Sequence, residues 1–459
     1  MNEAEYRRIL NAGMGRAVSA LVSETDTDAY HETILDACLH YTAFDPATEG
    51  NRSNYLFRVI EATGNLPAYR DSILAALTQS IASRYDRAQH FALAARFAQR
   101  GDTAARQAMY RAFFADTLHL WNPRDGSVVG AVEIIALDGW QGFLAVAEHL
   151  GALCKTYPQM WFTDGLLTMI ERRYGARECA LRLIPAVKEH VSIAAFMNEI
   201  SAHRQYITSM RETKDGMSLT YTYTQVESLI ARVDTSALRR SLTQWGVAAT
   251  EDDLYQAATA LAGERDPARA AAYATLFARR PFPADPAPLL ALARGTNLLA
   301  AQAALTALAH VAHSSVRALA RELRDDPVRR VMAVDLLIAN YADGDAHYIR
   351  AMLDEEMPLQ VWHWLGYGAL QVFAAHPATA AAPALYCIYE RTPCSHCRHR
   401  AVTLLCGLGS LPDWMANECR HDAHPGTRAL SVAAGTAIAI VPDVQGVREG
   451  IAVHTRPDG

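Results

Sequence analysis

The chain has 459 residues, 51% of them apolar and 20% charged, with 26 glycines and 19 prolines. That composition excludes a disordered chain, a collagen and a small disulfide-stapled protein. Lysine and arginine total 43 against 49 aspartates and glutamates, a net charge of −6, which disfavours a polyanion binder as a description of the whole chain.

The opening Met1-Asn-Glu-Ala-Glu-Tyr-Arg-Arg-Ile-Leu10 is amphipathic and charged, without the basic, apolar and small-residue regions of a secretory signal. Asp45, Glu49 and Arg52 follow on a loop, where a local Glu49–Arg52 ion pair would order the backbone. From Tyr55 the pattern is helical: Tyr55, Leu56, Val59, Ile60 and Thr63 share a face, and Gly64 supplies the stop. Asp71 is placed as the N-cap of the next helix. Gly151 and Gly175 each follow a helical run, the usual place of a left-handed cap. Leu137-Asp-Gly-Trp-Gln-Gly142 reads as a turn with Asp138 capping a helix.

Strand-like alternation is scarce. The expected division is an N-terminal helical half over 1–212, a linker at 213–220, C-terminal helical repeats over 221–435, and a tail or cap over 436–459. The uncharged stretch from Gly295 to Val316 carries Thr, Asn, Gln, His and Ser, so it is expected to be a buried helix and a turn rather than a membrane span. Eight cysteines, several beside His or Arg, fit a reducing cytoplasm better than a disulfide framework.

The second half repeats one device. Asp266-Pro-Ala-Arg269 and Asp326-Pro-Val-Arg329 each place an Asp cap, a Pro in the first turn and an Arg two residues later, and His424-Pro-Gly-Thr-Arg428 is a weaker third. Asp325-Asp-Pro-Val-Arg-Arg-Val-Met-Ala333 resembles the second helices of HEAT/armadillo repeats. The chain as a whole is similar to a group of uncharacterised bacterial proteins described only as HEAT-repeat-containing, through Asp45–Tyr55, Leu137–Gly142 and Pro393–Arg398. The resemblance implies an all-α, irregular HEAT-like solenoid of helical hairpins and brings no activity with it.

Chemistry concentrates near the C-terminus, in Cys387, Cys394-Ser-His-Cys397, His399, Cys406, Cys419, His421 and His424. A Cys-x-x-Cys pair at a helix N-terminus puts two thiols on one turn, where the helix dipole favours thiolates. Cys394, Cys397 and Cys419, with Cys387, His399 or His421 as the fourth, would suit one structural zinc. The competing readings are inert buried thiols and a redox pair. Trp362 and Trp364 form an aromatic cluster with Tyr367, and with Asp413 they offer the parts of a DNA-glycosylase-like cradle, although positions two apart on a helix diverge. Arg317, Arg321 and Arg324 share a face at i, i+4, i+7 and make a candidate partner-binding stripe. Residues 229–459 nevertheless hold 21 basic and 23 acidic side chains, net −2, which disfavours nucleic acid. No nucleotide-binding glycine loop, His-Glu-x-x-His or Gly-x-Ser-x-Gly motif occurs. The expectation is therefore a non-catalytic scaffold whose repeats bind a protein partner, with nucleic-acid binding and a thiol- or metal-dependent enzyme at Cys394/Cys397 as alternatives.

Overall fold

A computed structural model of the chain describes residues 1–23, 27–79, 83–213, 221–232 and 238–435. Among them the backbone is helical throughout, without a strand; one isolated bridge pairs Trp121 with Val128. Two compact units form, Met1–Asp253 and Leu254–Gly459, dividing within the first turn of the Glu251–Gly263 helix. Thr213 closes the Val191–Thr213 helix. The rest of the linker expected at 213–220, and the tail expected at 436–459, lie outside the described residues. No helix among the described residues is long and apolar enough to cross a membrane.

In the first unit Glu49 and Arg52 form an ion pair at 2.5 Å with side chains almost wholly excluded from solvent, and Arg52 also donates to the carbonyl of Asn11. The loop before the Ser53–Ala62 helix is thus fixed as its charges suggest. Asp71 is not a cap: the helix begins earlier, at Leu66 with Pro67 in its first turn, and Asp71 pairs with Arg70 in its interior. The turn expected at Leu137–Gly142 is present as a break: two helical stretches within Ala131–Thr156 meet at a kink at Gly139 (φ 59°, ψ −126°), a conformation that favours glycine, and Asp138 stands just before it. Asp138 there accepts from Arg106 Nε at 3.1 Å and from Tyr110 OH at 2.5 Å. Gly151 lies inside the same helix instead of ending one, and its missing side chain lets the Val191–Thr213 helix come against it.

Two adjacent polar residues, Gln89 and His90, are buried where the His31–Leu39 helix ends. Gln89 Nε2 donates to the carbonyls of Ala37 and Cys38, both at 2.9 Å, and His90 Nε2 to that of Leu39 at 2.7 Å. These bonds satisfy carbonyls that a helix end leaves without an intrahelical partner. Burial pushes the His90 imidazole below its ordinary value, and its Nδ1 is buried without a hydrogen-bond partner. In the second unit His310 donates to the Ala278 carbonyl at 2.9 Å and is shifted the same way for the same reason. An imidazole titrates near 6.5 when unfolded, so the unfolded chain takes up protons first as pH falls. The stability tied to neutral His90 and His310 is complete above that value and is lost as pH drops below it. Urea midpoints are expected to fall between pH 7.5 and pH 5, and His90→Gln to flatten that slope; a midpoint that rises toward pH 5 would refute the assignment.

The second unit is built on a repeated contact. Helices Pro267–Thr275, Leu298–Leu308, Arg330–Ala333, Leu359–Ala375, Ser395–Gly407 and Pro425–Gly435 form a series in which each packs on the next. The intervening Asp345–Asp354 and Ala382–Arg391 helices also pack on each other. Asp266 and Asp326 act as the caps their sequence announces, accepting from Arg269 N at 2.9 Å and Arg329 N at 2.8 Å. After Asp326, however, the chain makes a turn, four α-helical residues and a 3-10 turn over Asp335–Leu337 rather than one long helix. The Gly295–Val316 stretch contains the expected buried helix, with Ala301, Ala304, Leu305 and Leu308 in the core.

Candidate functional site

Cys394 is the N-cap residue of the Ser395–Gly407 helix, with extended backbone (φ −92°, ψ 119°), and its N–H donates to Thr392 Oγ1 at 3.3 Å. Cys397 lies in the first turn of that helix. The helix packs on Leu359–Ala375, which brings in His363, and its Nε2 lies 3.4 Å from Cys397 Sγ. The ligand atoms of His363, Cys394 and Cys397 all fall within 4.8 Å of one another, and the three residues are only 6%, 2% and 2% exposed. This His/Cys/Cys group can hold a metal ion.

The pairing of Cys394 with Cys397 at a helix start follows the sequence. The remaining ligand does not: Cys419 and His421 are not part of the group. Cys419 is fully buried, its thiol pushed up to about 12 by burial, beside Tyr389, Asp422 and Arg398. Cys387 lies 4.0 Å from the Leu353 carbonyl, with its thiol also raised by burial. Cys406 is raised by burial as well, and burial drives His399 down to about 4, with His424 stacked on it at 4.2 Å. Cys387 and Cys419 are thus buried and Cys406 half-buried, each with a thiol that burial moves away from the thiolate form. His363, flanked by Trp362 and Trp364, was legible only as part of an aromatic cluster. What finds it is packing, since the Leu359–Ala375 helix that carries it in its first turns packs on the Ser395–Gly407 helix.

Arg317, Arg321 and Arg324 do share a face, and each is ion-paired with Asp345 or Glu355. Asp345, fully buried, accepts from both Arg317 and Arg321 and from Ala342 N at 2.8 Å. Glu355 accepts from Arg324 at 2.8 Å and from Arg330 at 2.5 Å, and those bonds hold its carboxyl below the usual carboxylate range. The Arg321 guanidinium also stacks 3.5 Å above the Tyr348 ring. The expected stripe is therefore ion-paired with acids from farther along the chain, while the Arg317, Arg321 and Arg324 side chains themselves stay 30%, 38% and 37% exposed. Trp362 is core: it is 2% exposed and its Nε1 donates to the Leu353 carbonyl at 2.9 Å. Trp364 stands edge-on to Tyr367 at 5.9 Å, and the two tryptophans do not form one cradle. Asp413 opens the Asp413–Cys419 helix, next to half-exposed Trp414.

A histidine with a Pro-Cys-x-x-Cys segment also supplies the zinc ligands of base deaminases, where a glutamate two residues after the histidine moves the proton. Leu365 occupies that position and is fully buried. The trio thus lacks the group that such hydrolysis needs. No protein-family model, curated protein or solved structure matches this chain.

Proposed function

We propose that this chain is a non-catalytic, cytoplasmic scaffold that binds a protein partner through its second unit, arranged as an irregular solenoid of helical hairpins. The observation carrying this reading is a row of exposed apolar residues on the stacked series. Leu298, Leu299, Val328 and Leu359 are 48%, 50%, 49% and 53% exposed. Each stands at or just before the N-terminal end of one of three consecutive stacked helices. Two bonds set these ends beside one another: Arg329 to the Gly295 carbonyl at 2.5 Å, and Arg330 to Glu355. An apolar row presented at corresponding places on successive repeats is the form in which helical-repeat proteins offer an extended binding edge.

The stacked helices begin at 267, 298, 330, 359, 395 and 425, about 30 residues apart, shorter than the ~40 of HEAT units. The HEAT likeness therefore supports the architecture more than the family. Eight free cysteines accord with a reducing compartment. Polyanion binding is disfavoured by the arginines that Asp345 and Glu355 neutralise, and a thiol or metal enzyme by the burial of the Cys394/Cys397 group and by Leu365. In this reading a zinc ion at that group is structural.

The test is crosslinking mass spectrometry on the tagged full chain in its native cells, compared with Leu298→Asp/Val328→Asp/Leu359→Asp. Partner crosslinks are expected around 298–359, with recovery down about tenfold or more in the triple variant, the scale of losing interface hot spots, and with its helical circular dichroism unchanged. Equal partner recovery from the variant, or substrate turnover by the purified chain, would overturn the reading.

A further inference from the structure

We propose that His363, Cys394 and Cys397 bind one zinc ion, which joins the Leu359–Ala375 helix to the N-terminus of the Ser395–Gly407 helix. The inference rests on the geometry of this group and stands apart from the scaffold reading. Zinc lies about 2.3 Å from thiolate sulfur and about 2.0–2.1 Å from imidazole nitrogen. Tetrahedral angles then separate a nitrogen and a sulfur ligand by about 3.5 Å and two sulfur ligands by about 3.8 Å. The observed 3.4 Å between His363 Nε2 and Cys397 Sγ matches that shell, and the 4.8 Å bound on all three atoms leaves Cys394 Sγ within about 1 Å of it, the reach of a side-chain adjustment.

Donor type and charge select the ion. Two sulfurs and an imidazole do not suit magnesium or calcium, which take oxygen ligands, and iron–sulfur clusters take four protein ligands where three are present here. Two thiolates cancel a dication, whereas copper(I) would leave a net negative charge in a site whose three ligands are almost fully buried. The Arg398 that follows Cys397 is paired Nε to Asp422 Oδ2 at 2.6 Å, both side chains fully buried, and the pair is neutral as a unit, so it does not alter that balance. The helix start at Cys394 favours both thiolates. Zinc displaces the two thiol protons to solvent and is neither oxidised nor reduced. The three protein ligands leave the fourth position to a small non-protein ligand. The ligating residues are almost fully buried and Leu365 stands where a proton carrier would, so the role assigned to the ion is to join the two helices.

The experiment is native mass spectrometry of the full chain purified without tags or chelators, then re-measured after incubation with zinc(II). One zinc per chain is expected in the wild type and in Cys406→Ser, and none in Cys394→Ser or His363→Ala. Because a ligand variant can lose zinc by misfolding, His363→Cys, which keeps a soft donor in place, is expected to retain the ion. Cobalt(II) in the wild type is expected to show a thiolate charge-transfer band. A wild-type chain that stays metal-free with zinc(II) present, or undiminished zinc in both Cys394→Ser and His363→Ala, would overturn the proposal. Neither result bears on partner capture through Leu298, Val328 and Leu359, so the two readings fail separately.

Discussion

Replacing Arg398 with methionine is expected to destabilise the second unit by about 3–5 kcal/mol, the cost of leaving one member of a buried ion pair behind. Arg398 and Asp422 are both fully excluded from solvent, and Asp422 Oδ1 also accepts from His424 N at 2.8 Å. This single carboxylate thereby ties the Ser395–Gly407 helix to the turn that opens Pro425–Gly435. Without that guanidinium the fully buried carboxylate keeps Arg428, which donates to the Asp422 backbone carbonyl at 2.8 Å, as a charged neighbour, and it must stay ionised or take up a proton, both at a cost. Arg398→Met/Asp422→Leu removes both charges and is expected to recover most of the loss. Urea unfolding of the full chain, followed by tryptophan fluorescence, measures both variants. A single-variant loss under about 1 kcal/mol, the range of exposed pairs, would show that the pair is solvated and the argument wrong.

The second large effect is expected at Gly151. A Cβ added there would stand 1.7 Å from the Ser192 carbonyl oxygen and 3.0 Å from Phe196 N, both backbone atoms of the facing helix. No rotamer change relieves a backbone clash, so the Ala131–Thr156 and Val191–Thr213 helices must separate. Phe143 and Phe196, 6.4 Å apart across the same contact, would lose their packing. Gly151→Ala is expected to cost about 1–3 kcal/mol and Gly151→Val more, the range seen when closely packed interiors are overfilled. Gly263→Ala is the control: its added Cβ meets nothing within 4 Å, and the change is expected to be neutral or stabilising by up to about 1 kcal/mol. Thermal unfolding of the three variants separates these outcomes, and a tolerated Gly151→Val would refute the close approach.

What the sequence made legible was local. The Asp266 and Asp326 caps, the Glu49–Arg52 pair and the placement of Cys394 at a helix start all depend on residues within one turn of each other. What it hid depends on register between elements. Spacing puts Arg317, Arg321 and Arg324 on one face, but only packing shows that Asp345 and Glu355 face them. A glycine after a helical run reads as a cap, yet Gly151 is required for close approach within a longer helix, and both uses select the same residue. Cys394 and Cys397 advertise themselves by adjacency. His363, more than thirty residues upstream, joins them only once the stacking of successive helices is known.

That stacking has a mechanical consequence. In the second unit the packing series runs along the chain from Pro267–Thr275 to Pro425–Gly435, so in the solenoid proposed above, tension applied at the C-terminal end of the series would act first on Pro425–Gly435 and not on the whole core. The unit would yield as a zipper does, one hairpin at a time, each release freeing about 100 Å of extended chain for some 30 residues. The cross-tie between Arg398 and Asp422 lies at the end where such unravelling begins.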